Sequence, residues 1–133
     1  HVLSREAKKE NYVAWYRNPS NASQESLGIS YKENKEYAIL RPDFIFFSKK
    51  EGKLIEANIV DPHGHHLSDA LPKLKGLVKY AETHGELYGR IEAVAKLDNK
   101  YRSLNLKNLD VQIAIKKAEN SKSLYEGPLA KDY

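Results

Sequence analysis

The sequence predicts an α/β fold in which helices flank a mixed β-sheet. Two apolar runs joined by a Gly-containing turn predict a β-hairpin across residues 43–60, and regularly spaced apolar residues predict a helix at Asp69–Thr83. Polar and apolar residues then alternate from Arg90 to Leu97, which is typical of a further strand. A hairpin, a helix and a strand in this order are typical of the α/β class.

The chain before the hairpin is predicted to contain one short helix and three strands. A charged segment favours a helix over Val2–Glu10, and the aromatic and β-branched residues of Tyr12–Tyr16 favour a strand. Asn, Pro and Ser make residues 18–23 a loop. Two short strands are expected at Leu27–Tyr31 and Tyr37–Leu40.

The hairpin is predicted to consist of strands at Asp43–Ser48 and Leu54–Val60. The helix that follows has Ser68 or Asp69 as its N-cap and Gly85 just past its end, which are typical start and stop signals. Its apolar residues recur at helical spacing and are Leu71, Leu74, Leu77, Val78 and Ala81.

The last part of the chain carries weaker signals. Asp98–Lys100 is predicted to form a turn after the last strand, and residues 104–108 show no clear preference. Asn108–Ala118 is predicted to be a helix with Leu109 and Ile113 on its apolar side. The residues after this helix are predicted to be irregular.

Length and composition limit the classes of protein that the chain can belong to. Its 133 residues are expected to form a single domain, residues 1–133. Hydrophobic residues make up 41% and charged residues 30% of the chain, which excludes a disordered tail. No apolar run is long enough for a transmembrane helix, and no N-terminal segment has the order of a signal peptide. We therefore expect no membrane partner.

Cysteine and methionine are both absent from the chain. Without cysteine there are no disulfides, thiolate metal sites or Cys nucleophile, which is compatible with a reducing compartment and predicts a cytoplasmic location. The chain begins with His1, and we interpret it as a fragment of a longer protein. Its net charge of +4 permits a polyanionic partner.

The predicted hairpin displays oxygen ligands on one face. If its strands turn about Lys50 and Glu51, Asp43 lies opposite Asn58 and is a diagonal neighbour of Glu56, roughly 7 Å away at Cβ. Two carboxylates at that separation can share a Mg²⁺ (or Mn²⁺) ion, which also keeps several waters. The alternative is that both acids are solvent-facing residues of a half-exposed hairpin.

Several sequence segments, taken in their order along the chain, resemble those of a known family. They are Trp15–Pro19, Arg41–Phe47, Leu54–Asn58, Val60–Gly64 and Lys73–Leu77. The two segments that lie in the predicted hairpin, Arg41–Phe47 and Leu54–Asn58, resemble the PD-(D/E)xK nuclease signature. Together these segments are similar to the C-terminal PD-(D/E)xK nuclease-like domain of bacterial DEAD/DEAH-box helicases, the type III restriction-enzyme-like proteins. The similarity extends over roughly residues 12–85.

This resemblance implies a restriction-endonuclease-like core, with the order helix, three strands, helix, strand. It also implies metal-dependent hydrolysis of DNA phosphodiesters, in which Asp43 and Glu56 hold Mg²⁺ and a lysine positions or activates the attacking water. The implied partners are DNA and the helicase portion of a parent chain. The residues implied as catalytic are Asp43, Glu56, Asn58 and Lys73.

Asn58 departs from this pattern, because it stands where the signature has lysine and a neutral amide supplies no positive charge. Three explanations remain open. The lysine has moved to Lys73 or Lys75 on the following helix, or to Lys53 at the turn. Asp61 and the histidines beside it have rebuilt the site. Alternatively, the domain has lost catalysis and acts as a DNA-binding module for the helicase motor.

The segment after the hairpin holds the densest cluster of candidate metal ligands, Asp61, His63, His65 and His66. Imidazole nitrogen suits Zn, Fe or Ni more than Mg²⁺, so these histidines do not themselves predict magnesium. The alternative is a polar loop between strand and helix in which Asp61 and Pro62 make the turn. We take Asp61 as the third predicted metal ligand, after Asp43 and Glu56.

Three basic residues are predicted to contact nucleic acid. Lys75 and Lys79 lie one turn apart on the main helix, and Arg17 follows aromatic residues at the end of the first strand. The alternative for each is an ordinary solvated surface charge.

Overall fold

The computed structural model describes residues 2–18, 26–33, 36–51, 54–64 and 70–133 of the chain. Its helices are α1 (Val2–Ala7), α2 (Ala70–His84), α3 (Leu109–Lys117) and α4 (Lys122–Glu126), with a 3₁₀ turn at Gly85–Leu87. Its strands are β1 (Tyr12–Arg17), β2 (Ile29–Glu33), β3 (Glu36–Leu40), β4 (Phe44–Lys49), β5 (Ile55–Pro62), β6 (Tyr88–Leu97), β7 (Lys100–Asn105) and β8 (Lys131–Asp132). None of the helices in these ranges combines the length and the apolar character needed to cross a membrane.

Six of these strands form one mixed sheet in the order β1-β4-β5-β6-β7-β8, and β2 and β3 form a separate hairpin. Neighbouring strands of the large sheet are antiparallel except β5 and β6, which run parallel and are joined by α2. A parallel pair needs such a crossover because both strands start from the same end of the sheet. The predicted α/β class, a mixed sheet with flanking helices, is confirmed.

Both faces of the large sheet are covered. On one face, Leu74 and Val78 of α2 belong to the larger core together with Ile59 and Ile91 of the parallel strands. On the other face, α1 supplies Val2 to a smaller core whose remaining buried members are Phe46, Val60 and Val94. Because successive strand side chains point to opposite faces, β5 contributes to both cores.

The helix that was predicted at Asp69–Thr83 is α2. It ends at His84 with Gly85 just beyond it, as expected, whereas the expected N-caps, Ser68 and Asp69, lie outside the described residues. Pro72 lies in its first turn, where a missing N–H removes no helical hydrogen bond. Its apolar side is buried, as predicted, and includes Leu74, Leu77, Val78 and Ala81.

The β2–β3 hairpin packs against α2, and Gly76 permits the closest contact. A Cβ atom added to Gly76 would lie 2.2 Å from the Cβ atom of Tyr31, a side chain that is only 6% exposed. No side chain other than hydrogen fits between the helix backbone and this tyrosine. The glycine therefore fixes how closely the hairpin approaches the helix.

The pairing of β4 with β5 differs from the predicted register. Phe44 pairs with Val60 and Ile45 with Ile59, which places apolar side chains opposite each other. The predicted strand ends left a five-residue connection, 49–53, and the connection in the structure, 50–54, has the same length. The strands, however, pair about a point later in the chain than Lys50 and Glu51. Because strand side chains alternate, a shift of three positions also changes which residues of the two strands share a face. The predicted register was wrong.

The C-terminal part contains elements that the sequence did not predict. The turn at Asp98 and Asn99 was predicted, and their φ angles of 47° and 66° are those of a tight hairpin turn, but the strand β7 after it was not. The tail that was predicted to be irregular contains α4 and β8. Arg102 of β7 holds this tail through hydrogen bonds to the carbonyl groups of Tyr125, Gly127 and Ala130. These elements depend on distant contacts, which local periodicity does not reveal.

The predicted helix at Asn108–Ala118 is α3, but its buried side is not the predicted one. The Asn108 side chain caps it by accepting a hydrogen bond from the Val111 N–H at 3.1 Å. Leu109 and Ile113 are 68% and 42% exposed, whereas Val111 and Ile115 are buried. Both pairs have helical spacing, so the pattern alone could not decide between them.

We expect Gly76→Ala to lower the free energy of unfolding by about 1–3 kcal/mol, because the new methyl group meets Tyr31. This loss should appear although alanine favours a helix over glycine by about 1 kcal/mol. Urea unfolding measures it. Gly85→Ala is the control, since its Cβ would meet only the flexible Lys107 side chain, 3.9 Å away. Equal losses in both variants would contradict the packing described.

Candidate active or binding site at the end of β5

Two aspartates come together at the carboxyl end of β5. The register that pairs Phe44 with Val60 places Asp43, just before β4, beside Asp61. The backbone N–H of Asp43 donates a hydrogen bond to Oδ1 of Asp61 at 3.3 Å. Asp61 is 8% exposed, whereas the Asp43 side chain is exposed to solvent. The pair thus combines a buried carboxyl group with an accessible one.

The surroundings of Asp61 raise its pKa to about 7. Burial is the largest cause, and the negative charge of Asp43 acts in the same direction, whereas the Asp43 N–H and the charge of Lys73 oppose them. Lys73 therefore lies close enough to interact with this carboxyl group. Asp43, Asp61 and Lys73, three of the residues singled out from the sequence, are brought to one place.

His63 and Tyr125 extend this cluster. Nε2 of His63 is hydrogen-bonded to the hydroxyl group of Tyr125, and the two rings meet edge to face with centroids 5.5 Å apart. Tyr125 is completely buried, and its burial, together with the charge of Asp61, raises its pKa well above the usual value. Tyr125 was not identified from the sequence, because it reaches the site only through the unpredicted helix α4.

The donor set of this cluster restricts which metal it could hold. Within the described ranges, no group of three or more His, Asp or Glu residues is placed to share an ion. A structural zinc site, which uses four protein ligands, does not fit. Two neighbouring carboxylates such as Asp43 and Asp61 fit a hard cation that keeps most of its coordinated waters, which is the usual behaviour of Mg²⁺.

Glu56 and Asn58 do not join this site. Glu56 lies five residues before Asp61 on β5, roughly 16 Å along the strand, and on the opposite face of the sheet. Its carboxylate accepts a hydrogen bond from the Ser48 hydroxyl at 3.5 Å. The structure therefore separates Asp43 from Glu56, the two acids that were predicted to share one ion.

Asn58 is fully buried on that opposite face. Its amide nitrogen donates hydrogen bonds to the carbonyl group of Phe46 at 3.3 Å and to the hydroxyl group of Ser48 at 2.9 Å. Its Oδ1 accepts no hydrogen bond from any residue that the structure describes. These contacts tie β5 to β4 and account for a buried amide at this position.

Glu6 forms a second buried polar cluster on this face. Its carboxylate, 2% exposed, pairs with Arg90 and with Lys9 at 2.8 Å, and it accepts a hydrogen bond from the Tyr133 hydroxyl at 2.6 Å. Burial acts to raise its pKa, but these partners together hold the pKa below the usual value. The cluster is satisfied by its own members and ties α1 to β6 and to the end of the chain.

The remaining predicted site residues lie elsewhere. The Arg17 guanidinium lies 5.8 Å from the centroid of the Phe44 ring at the edge of the sheet. Lys75 and Lys79 are exposed and line a groove beside α2, on a different side from Lys73. Three further candidates, Lys53, His65 and His66, lie outside the described residues.

The fold and this site define a mixed α/β protein with paired carboxylates at the end of a parallel strand. A family model described as the YagJ family matches residues 1–133, and the chain belongs to that family. It is 51% identical over 132 residues to protein YagJ of Escherichia coli (strain K12), an alignment that covers 99% of this chain and 54% of that protein. The chain thus spans about half the length of the curated relative that it matches. No solved structure matches it.

These matches overturn the family assignment that the short sequence segments suggested. The chain is a member of the YagJ family over its whole length, so its identification as the C-terminal nuclease-like domain of a DEAD/DEAH-box helicase was wrong. The metal-dependent DNA hydrolysis that this resemblance implied is withdrawn, as is the alternative of a DNA-binding module for a helicase motor. The predicted partners, DNA and the helicase portion of a parent chain, are withdrawn with it.

Asp61 predicts a specific dependence of stability on pH. Its folded pKa of about 7 lies above the usual 3.8, so the folded state binds more protons between these values and the free energy of unfolding falls as pH rises through this window. We expect Asp61→Asn to remove that fall, which amounts to as much as about 4 kcal/mol. Urea unfolding from pH 4 to pH 8 measures it.

The control for this experiment is Asp43→Asn, whose exposed side chain should leave most of the pH dependence in place. Because other titrating groups are common to all variants, the difference between Asp61→Asn and the wild type isolates Asp61. Parallel stability curves for these two proteins would show that Asp61 has an ordinary pKa.

Proposed function

We propose that the chain binds a divalent cation, Mg²⁺ or Mn²⁺, through Asp43 and Asp61. The observation that carries the proposal is the position of Asp43 directly beside Asp61 at the carboxyl end of β5, with the Asp43 N–H on the Asp61 carboxyl group. Residues opposite each other on antiparallel strands have Cβ atoms about 4.5–5.5 Å apart, which lets two carboxylates reach one ion. Ligands also bind preferentially at the carboxyl ends of parallel strands.

The two aspartates would play different parts in binding. Asp43 is exposed and offers the carboxylate that an arriving ion meets first. Asp61 is buried and held by a backbone N–H, so its carboxyl group is already fixed before an ion arrives. A bound cation would add to the positive charge that Lys73 already places near the buried carboxylate.

Lys73 limits how tightly the site can bind. Its positive charge interacts with Asp61 and would repel a cation, while it stabilises the ionised carboxylate that a cation needs. With two protein carboxylates and a nearby ammonium group, the site should prefer a hydrated ion over one that demands many protein ligands. It is therefore expected to be a moderate-affinity magnesium or manganese site.

Titration with Mn²⁺ at pH 8, followed by isothermal calorimetry, tests the proposal. We expect Asp43→Asn and Asp61→Asn each to weaken binding by at least about tenfold, because each removes one of two charged ligands. Glu56→Gln is the matched control, since this acid was predicted from the sequence as a ligand but lies on the opposite face. Its affinity should equal that of the wild type.

Lys73→Gln provides a second test, in which the affinity for Mn²⁺ is expected to change in the opposite direction. Removing its charge should strengthen Mn²⁺ binding, since the cation no longer faces a like charge. The proposal fails if the wild type binds no Mn²⁺ at millimolar concentrations. It also fails if Glu56→Gln weakens binding as much as the aspartate variants do.

We also propose that the chain has the restriction-endonuclease-like core that the sequence predicted. The order α1, β1, β4, β5, α2, β6 supports a restriction-endonuclease-like core of helix, three strands, helix and strand, because these four strands are also neighbours in the sheet. The β2–β3 hairpin is then an insertion between the first two core strands. The cytoplasmic location and the single domain within a longer protein stay predictions.

A further inference from the structure

A groove separates α2 from the β2–β3 hairpin and lies away from the paired aspartates. Its volume of about 470 Å³ is within the range of small-molecule sites. One wall is a single side of α2, where residues at helical spacing line up: Pro72, Lys75, Gly76, Lys79, Tyr80 and Thr83. The opposite wall comes from the hairpin and includes Ile29, Tyr31 and Tyr37.

Gly76 shapes the floor of this groove. Because it has no side chain, Tyr31 lies directly against the helix backbone and is almost completely buried. Lys75, next to Gly76 in the chain, and Lys79, one helical turn further on, line the groove together with Gly76 and Tyr31. This arrangement leaves a groove instead of a filled interface.

The wall formed by α2 is positively charged. Lys75 and Lys79 are exposed, lie one helical turn apart, and have no salt-bridge partner in the described part of the chain. Among the described residues that line the groove, none has an acidic side chain. Two like charges this close favour an anion between them, and a doubly charged group such as phosphate matches both ammonium groups.

Aromatic rings occupy the rest of the lining. Tyr37 is 75% exposed, although an aromatic ring of this size usually finds cover. Tyr80 is held in place by a hydrogen bond between its hydroxyl group and that of Tyr88 at 2.8 Å, and His84 stacks on it with ring centroids 4.7 Å apart. The groove thus offers an exposed ring to a ligand, beside rings that are already fixed.

We propose that this groove binds a small phosphate monoester that carries an aromatic ring. The phosphate group contacts Lys75 and Lys79, and the ring packs against Tyr37. This site is independent of the cation site, because neither aspartate lines the groove. The combination of two adjacent cations and an uncovered ring selects a ligand that has both a compact double charge and a flat apolar part.

Phenyl phosphate is the probe, and amide chemical shifts of the ¹⁵N-labelled protein report its binding. We expect saturable shifts at Gly28 and Gly76, which line the groove. Inorganic phosphate, which lacks the ring, and phenol, which lacks the charge, should each bind at least about tenfold more weakly. Comparable binding of inorganic phosphate would overturn the proposed role of the ring.

Paired variants test the residues. Lys75→Gln with Lys79→Gln should weaken phenyl phosphate binding by at least about tenfold. The matched control, Lys117→Gln with Lys122→Gln, removes the same charge at exposed positions outside the groove and should leave binding unchanged. Tyr37→Ser should reduce the preference for phenyl phosphate over inorganic phosphate. An unchanged melting temperature shows that each variant remains folded.

The proposal is overturned if phenyl phosphate causes no saturable shifts at groove residues. It is also overturned if the control pair weakens binding as much as the groove pair, since the attraction would then come from net charge alone.

Discussion

The pairing of Phe44 with Val60 determines where every candidate residue of the hairpin lies. Because strand side chains alternate, this register places Asp43 beside Asp61 and sends Glu56 to the opposite face of the sheet. It is enforced by apolar side chains that must be buried on both faces of β5, so a slip would expose core residues and bury polar ones. The separation of the two polar clusters therefore follows from hydrophobic packing.

The cluster around Asp61 is costly for the fold, whereas the cluster on the opposite face is balanced. The charge of Glu6 is paired with those of Arg90 and Lys9, and the Tyr133 hydroxyl donates a hydrogen bond to it, so the buried carboxylate has charged partners. Asp61 is buried beside a second carboxylate and opposed only in part by one lysine, and its raised pKa records the cost of ionising it there. Perturbed carboxyl groups of this kind are frequent at functional sites, and an asparagine would serve structure alone at lower cost.

Sequence periodicity was sufficient for α2 and for the strands from β4 to β6, because their burial follows local patterns. It could not give the register of the hairpin, since a five-residue connection does not constrain pairing as a two-residue turn does. It also missed α4, and with it Tyr125, because that helix is held by distant bonds from Arg102. The structure places Asp61 beside Asp43 and brings Lys73 close enough to act on the Asp61 carboxyl group. The sequence singled these residues out for a nuclease chemistry that the family match overturns.

Cross-linking between β4 and β5 tests the register of the hairpin most directly. Because the sequence contains no cysteine, a disulfide can form only between the introduced residues. A disulfide requires Cα atoms within about 7 Å, so it distinguishes registers that differ by three residues, roughly 10 Å. The pairing described here predicts that the double variant D43C/D61C forms an intramolecular disulfide on mild oxidation, whereas D43C/N58C stays reduced. Rapid closure of D43C/N58C with none in D43C/D61C would show that Asp43 and Asp61 are not partners.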